Sequence, residues 1–167
     1  LQPKIALSNI FHMLDVAYRS KFQLFDDLAR CADLEDAFDR LVRLFAKRVL
    51  DRARKGLYRT YLPDEDRLAF VRGNIDIRQT LRPAFNATLH CRFEDHTADV
   101  SENRILIWTL SKVVRSRICR PETDRLVRAA YRALRTTVSL VPFRGVDCVG
   151  RTYNRLNDDY RTLHHLC

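Results

Sequence analysis

No run in this chain approaches the roughly 18 apolar residues that a membrane-spanning helix needs. No secretory leader is expected from this stretch either, because Leu1-Gln2-Pro3-Lys4 has no basic segment followed by an apolar block. Cysteine is sparse and unpatterned: Cys31, Cys91, Cys119, Cys148 and Cys167 are odd in number and never form C-x-x-C. That argues against a disulfide scaffold and for a reducing, cytoplasmic setting. Zinc spacing is lacking as well. His164-His165-x-Cys167 comes nearest, with His90, Cys91 and His96 second, so no metal site is expected.

The catalytic signatures are equally thin. Neither G-x-x-x-x-G-K-[ST] nor G-x-G-x-x-G occurs, so no phosphate-cradling loop is expected, and G-x-S-x-G is absent. Metal-dependent nucleases place an acid two residues before a lysine, where carboxylates hold Mg²⁺ and the amine positions water. Lys4, Lys21, Lys47, Lys55 and Lys112 follow Gln2, Arg19, Phe45, Ala53 and Leu110 at that offset, and none of these is acidic. Carboxylates gather at Asp64-Glu65-Asp66 and at Glu94-Asp95 near His96 and Asp99. These suit turns and helix caps, and alternatively an acid/base or metal site.

What the chain has in excess is arginine. Of 30 basic residues 25 are arginine, and the net charge is +9. Such a balance permits a polyanionic partner, either nucleic acid or an acidic protein surface. The charge is unevenly placed: residues 1–39 hold seven acids and four bases, whereas residues 40–59 hold eight bases and one acid, Asp51.

With 167 residues the chain suits one hydrophobic core rather than two. Apolar spacings of three and four predict one long helix or two short ones over Ile5–Arg30. A second helix follows Asp33 as N-cap, with Leu34, Phe38, Leu41, Phe45, Val49 and Ala53 as its stripe and Gly56 at C′. Residues 57–71 then read as a β-hairpin whose loop is Pro63-Asp64-Glu65-Asp66. Ile75–Ile77 and Thr88–Phe93 alternate again. Asp99 with Glu102 predicts a capping box for a helix carrying Ile105, Leu106, Trp108, Thr109, Val113 and Ile118. Pro121 opens another, with Leu126, Val127, Ala130, Tyr131 and Leu134 on one face. Arg125, Arg128, Arg132 and Arg135 lie opposite, as a solvated face or a nucleic-acid contact. A last helix is expected over Thr152–Cys167, with no stop signal, so the chain is expected to continue. The fold class is therefore α+β: a mainly helical body, residues 1–56 and 98–167, with a β-hairpin or finger insertion at about 57–95.

Several segments, in order, resemble the McrC family, the nuclease subunits of McrBC 5-methylcytosine restriction systems. They are Asn9-Ile-Phe-His-Met-Leu-Asp-Val-Ala-Tyr18, Gly56-Leu-Tyr-Arg-Thr-Tyr61, Val71-Arg-Gly-Asn-Ile-Asp-Ile77, Cys91-Arg-Phe-Glu-Asp-His96 and Glu102-Asn-Arg-Ile-Leu106. Val16, Asn74 and Asp95 depart from that family's usual residues. The resemblance covers the family's N-terminal region and implies a β-rich finger that engages the hexameric AAA+ GTPase McrB and stimulates it. DNA would be met through the full complex. GTP would belong to the partner, and Mg²⁺ to a C-terminal nuclease domain that is absent from this stretch. On that reading Arg59, Arg78, Arg82 and Arg92 are the expected partner contacts. Arg72, Gly73, Asp76, Glu94, Asn103 and Arg104 are the structural motif. Arg72 is expected to pair with Asp76 or Glu94, Gly73 to supply φ > 0 or a close approach, and Asn103 and Arg104 to reach the 72–76 and 94–95 segments. A cation in the first helical turn opposes the dipole, so Arg104 should have a carboxylate partner. The other reading is a basic nucleic-acid-binding module working through Arg125, Arg128, Arg132 and Arg135.

Overall fold

The computed structural model describes residues 34–81 and 88–167. The helical stretch expected over Ile5–Arg30, the Asp33 cap and Arg82 lie outside them. Helix α1 spans Leu34–Lys55, with Glu35 and Asp36 in its first turn and Arg52, Arg54 and Lys55 in its last. Both ends therefore complement the helix dipole. Gly56 ends it at φ +100°, its N–H reaching Ala53 O at 3.3 Å. The buried stripe is rotated from the expected one. Leu34 is 69% exposed, while Ala37, Val42, Phe45, Ala46 and Val49 are buried.

The sheet follows. Strand β1 is Thr60–Leu68, β2 is Asn74–Ile75, a single-turn helix α2 covers Ile77–Thr80, and β3 is Leu89–Thr97. Both outer strands run antiparallel to the central β3, in the order β1-β3-β2. The hairpin expected within 57–71 is not formed. Pro63-Asp64-Glu65-Asp66 is strand, and β1 pairs with β3 from Thr60↔Thr97 to Leu68↔Leu89. Among the described residues β1 is an edge strand with one side of its backbone unpaired, where proline is tolerated.

Three further helices complete the body: α3 (Ser101–Ser116), α4 (Pro121–Arg135) and α5 (Asp159–His165), with a 3₁₀ turn at Gly145–Cys148. α3 starts later than expected. Its N-cap is Val100, whose side chain has no group to cap with, while Asp99 is committed to Arg104 and Ser139. It ends at Arg117 (φ 55°), so Ile118 falls outside it and is exposed. α4 begins at its proline as the sequence predicts. α5 is shorter than expected. Asn154 Oδ1 accepts from Leu156 and Asn157 N–H, and Asn157 Oδ1 from Asn154 N–H, so side chains take backbone groups a helix would use.

One core joins the helices: Val42, Phe45, Ala46 and Val49 of α1, Leu106, Ile107 and Leu110 of α3, Val127, Ala130 and Leu134 of α4, and Tyr160 and Leu163 of α5. Burying each larger side chain stabilises the body by about 1.5–3 kcal/mol. Beneath α4, Asp39 accepts from Arg120 N–H and Thr123 Oγ1, both at 2.8 Å, which caps that helix from α1. The fold is α+β, as the sequence implies.

Candidate partner-docking finger

Strand alternation sorts the finger's side chains onto two faces. On one lie Cys91, Phe93 and Asp95 of β3 with Leu62, Asp64 and Asp66 of β1. On the other lie Arg92, Glu94 and His96 with Tyr61, Pro63 and Glu65. Arg72 crosses the first face. Its guanidinium stands 3.9 Å from the Phe93 ring centroid and bonds Asp95 at 2.8 Å. This replaces the expected pairing with Asp76 or Glu94. Asp76 is on the opposite face, and Glu94, also opposite, makes no ion pair among the described residues.

Asp76 has its own tasks. One oxygen accepts from Gln79 N–H at 3.1 Å, capping α2, and the other from Arg92 at 2.6 Å. The capping N–H above all, with the Arg92 charge, holds its carboxyl below the usual range. Arg92 also bonds Glu65 at 3.0 Å, so this arginine staples β1, β3 and the α2 cap together. Arg92, one of the expected partner contacts, thus also braces the finger internally. Gly73 takes φ +66°, and a Cβ there would stand 2.9 Å from Phe93 Cβ. Both routes to glycine, positive φ and close approach, apply.

Arg78 lies exposed on α2, at the end of the sheet far from the helices. Arg59 is exposed at the opposite end, just before β1. Several large apolar side chains near Arg78 in sequence are also exposed: Ile77 is 66% and Leu81 76% exposed, and Phe70, Val71 and Ile75 are exposed as well. At the helical end, Asn103 and Arg104 do not reach the 72–76 or 94–95 segments. Asn103 Nδ2 donates to Tyr58 O at 2.8 Å and Ala98 O at 2.6 Å. Arg104 makes two bonds to Asp99, at 2.8 and 2.9 Å. Asp99 also accepts from Ser139 N–H and Oγ. Arg104 first, then Ser139, hold the Asp99 carboxyl far below the usual range. What the sequence did not show were the pairings themselves: Arg72 with Asp95, Arg104 with Asp99, and Asn103 with Tyr58 and Tyr160. The available signal was a poor helix former, Asn103, next to an uncompensated cation.

Glu94, Asp95 and His96 do not converge. Asp95 is on one face with Arg72, while His96 stacks on Tyr61 at 4.8 Å on the other. Asp64 and Asp66 accept from the N–H groups of Glu65 and Arg67. Among the described residues no group of three or more His, Cys, Asp or Glu is placed to hold a metal. On α4, Arg125, Arg128, Arg132 and Arg135 are all exposed, and Arg128 is tied to Asp124 at 2.7 Å. No described helix is long and apolar enough to cross a membrane.

The class so defined is an α+β protein whose helical body presents an exposed, arginine-braced β-finger. The family model described as McrBC 5-methylcytosine restriction system component matches residues 1–167, and the chain belongs to that family. No curated protein matches it. Among solved structures it is similar to a chain of the Thermococcus gammatolerans McrBC complex determined by cryo-EM. The identity is 22% and the TM-score 0.72, over 99% of this chain and 51% of that one. It is also similar to a chain in a refined half-complex from a tetradecameric assembly of Thermococcus gammatolerans McrB AAA+ hexamers with bound McrC. There the identity is 21% and the TM-score 0.72, over 96% of this chain and 39% of that one. At these identities the likeness establishes the fold, and this chain spans about half or less of the chains it matches.

Proposed function

We propose that this chain is the N-terminal, non-nucleolytic region of an McrC-like subunit. Its finger docks into a McrB-type AAA+ GTPase hexamer, stimulates GTP hydrolysis and couples it to DNA cleavage by a nuclease region of the same subunit. The observation that carries this reading is the far part of the finger, where Arg78 and the apolar Phe70, Val71, Ile77 and Leu81 are all exposed. Exposed large apolar side chains and a cation gathered in one short part of the finger suit a protein interface better than solvent. Family membership and a fold shared with a chain of an McrBC complex support the choice of partner. The nucleotide and metal chemistry would belong to the partner and to the nuclease region. The described residues offer neither a phosphate loop nor a carboxylate cluster for them.

The test is charge reversal at Arg78 and Arg82 together with Ile77→Asp, measured as stimulation of the cognate GTPase. Stimulation should fall about tenfold or more, with the thermal midpoint nearly unchanged. Full stimulation by a folded variant would refute docking through this end. Arg92→Glu is a poorer test, because it removes the brace to Glu65 and Asp76 along with any contact.

The exposed arginine face of α4 favours a second reading, contact with the DNA backbone. Duplex binding should then weaken steeply with salt, and replacing Arg125, Arg132 and Arg135 should lower the log–log slope by about 2–3. An unchanged slope would remove that reading.

A further inference from the structure

Asn103 is fully buried in the first turn of α3, where asparagine is a poor helix former and an unmet amide would be costly. Its amide is used three ways. Nδ2 donates to Tyr58 O and to Ala98 O, and Oδ1 accepts from the Tyr160 hydroxyl at 2.6 Å. The same tyrosine oxygen accepts the Tyr58 N–H at 2.9 Å. Tyr58 stands two residues before β1 and Ala98 one residue after β3. One amide and one hydroxyl therefore hold both chains where the finger leaves the body.

The holders are themselves held. Tyr160 is buried, with the Arg52 guanidinium 5.2 Å over its ring and bonded to Asp159 at 3.2 Å. One turn on, His164 meets Glu102 O through Nε2 at 3.0 Å and Tyr153 Oη through Nδ1 at 2.9 Å. This ties α5 to the first turn of α3. Beyond the root, β1 is exposed over most of its length, and the sheet's extensive contacts are among its own strands and with α2.

We propose that Asn103 and Tyr160 are positioning residues. They clamp the finger at one angle to the helical body, so that a load met at the finger's far end is transmitted to the body rather than absorbed by a swivel. The asparagine is specific to this task. Aspartate would set a carboxylate oxygen against two carbonyls, and a shorter or apolar side chain would take this donor from Tyr58 O, leave Ala98 O with the Val100 N–H alone and leave the Tyr160 hydroxyl proton without its acceptor. The functional half of the inference rests on the finger being the docking element; the clamp itself does not.

The experiment keeps these apart. Paired probes carried on noncanonical residues at Ile77 and Arg132 of the full natural chain, which spares the native cysteines, report the finger-to-body distance without any partner. The wild type should give one narrow distance. Tyr160→Phe, which fills the same space without the hydroxyl, should widen the distribution about twofold, and Asn103→Asp more. A broad wild-type distribution, or an unchanged width in a folded Tyr160→Phe, overturns the clamp. The second measurement is GTPase stimulation by unlabelled variants. Tyr160→Phe should lower the rate at saturation about fivefold or more, while the half-maximal concentration stays within about twofold. A widened distance with full saturating stimulation would overturn the transmission role. No stimulation even by the wild type would refute docking and leave the distances to decide the clamp.

Discussion

Gly73 and His164 show how single residues bear opposite kinds of constraint. Gly73 holds φ +66° with its Cα against the Arg92–Phe93 backbone, so Gly73→Ala meets left-handed strain and a steric clash together. The cost should be about 2–3 kcal/mol, felt in the β2–β3 pairing, and seen as faster amide exchange at Asn74 and Arg92. Unchanged exchange there would mean that the turn relaxes freely. His164 is constrained by protonation. Burial pushes its pKa below the ordinary value near 6.5, outweighing the bond to Glu102 O, and Arg151 and His165 add to the depression. A His whose folded pKa is lowered stabilises the fold fully above about 6.5, and that contribution is lost as pH falls through the folded value. The urea midpoint should therefore fall between pH 7 and 5 in the wild type. His164→Asn should be weaker at pH 7 and flatter across the interval. Asp99, shifted in the same sense from a lower starting point, acts only below about pH 4, so it adds little to the change between pH 7 and 5. A wild-type curve that is level from pH 7 to 5 would contradict this.

At the scale of elements, the helices were legible because their signals are local. Acids in the first turn, bases in the last, Gly56 after α1 and Pro121 opening α4 act within a few residues. Strand β1 was not legible, since Pro63-Asp64-Glu65-Asp66 is turn chemistry in isolation. Only pairing with β3, some thirty residues on, makes it a strand. The site failed for a related reason. Asp95 and Glu94 are neighbours in sequence, but the pleat sends them to opposite faces, so the partner of Arg72 depended on a register no local pattern contains. The same residues explain how an exposed strand avoids pairing with another chain. Asp76 N–H bonds His90 O, so even residues of β3 turn toward β2 and odd ones toward β1. The register then points residues 63, 65 and 67 of β1 outward. Proline has no N–H to offer, and the N–H groups of Glu65 and Arg67 are taken by Asp64 and Asp66. This edge is blunted. Replacing both aspartates by threonine should leave the unfolding free energy within about 0.5 kcal/mol but promote concentration-dependent self-association. Sedimentation that shows one unchanged species at every concentration would argue that the edge needs no protection.

Over the whole molecule, stability should be split between two parts with unequal dependence. The body buries its apolar groups in one core, with Leu106, Ile107 and Leu110 fully enclosed. The finger is held by backbone pairing, the arginine braces and its root. Opening the finger leaves the helical core intact, whereas unfolding the body removes Asn103 and Tyr160 from the finger's root. Finger amides should therefore exchange through a sub-global opening, and α3 amides only through global unfolding. Ile107→Val, at about 1 kcal/mol, raises the native state and the finger-open state equally. It should lower the exchange free energy of α3 and α4 amides by that amount and leave β3 amides unmoved. Gly73→Ala strains the native state alone, so it should lower both sets together. If Ile107→Val shifts the β3 amides as much as those of α3, finger and body unfold as one unit. A finger that opened only with the body would need no clamp at its root.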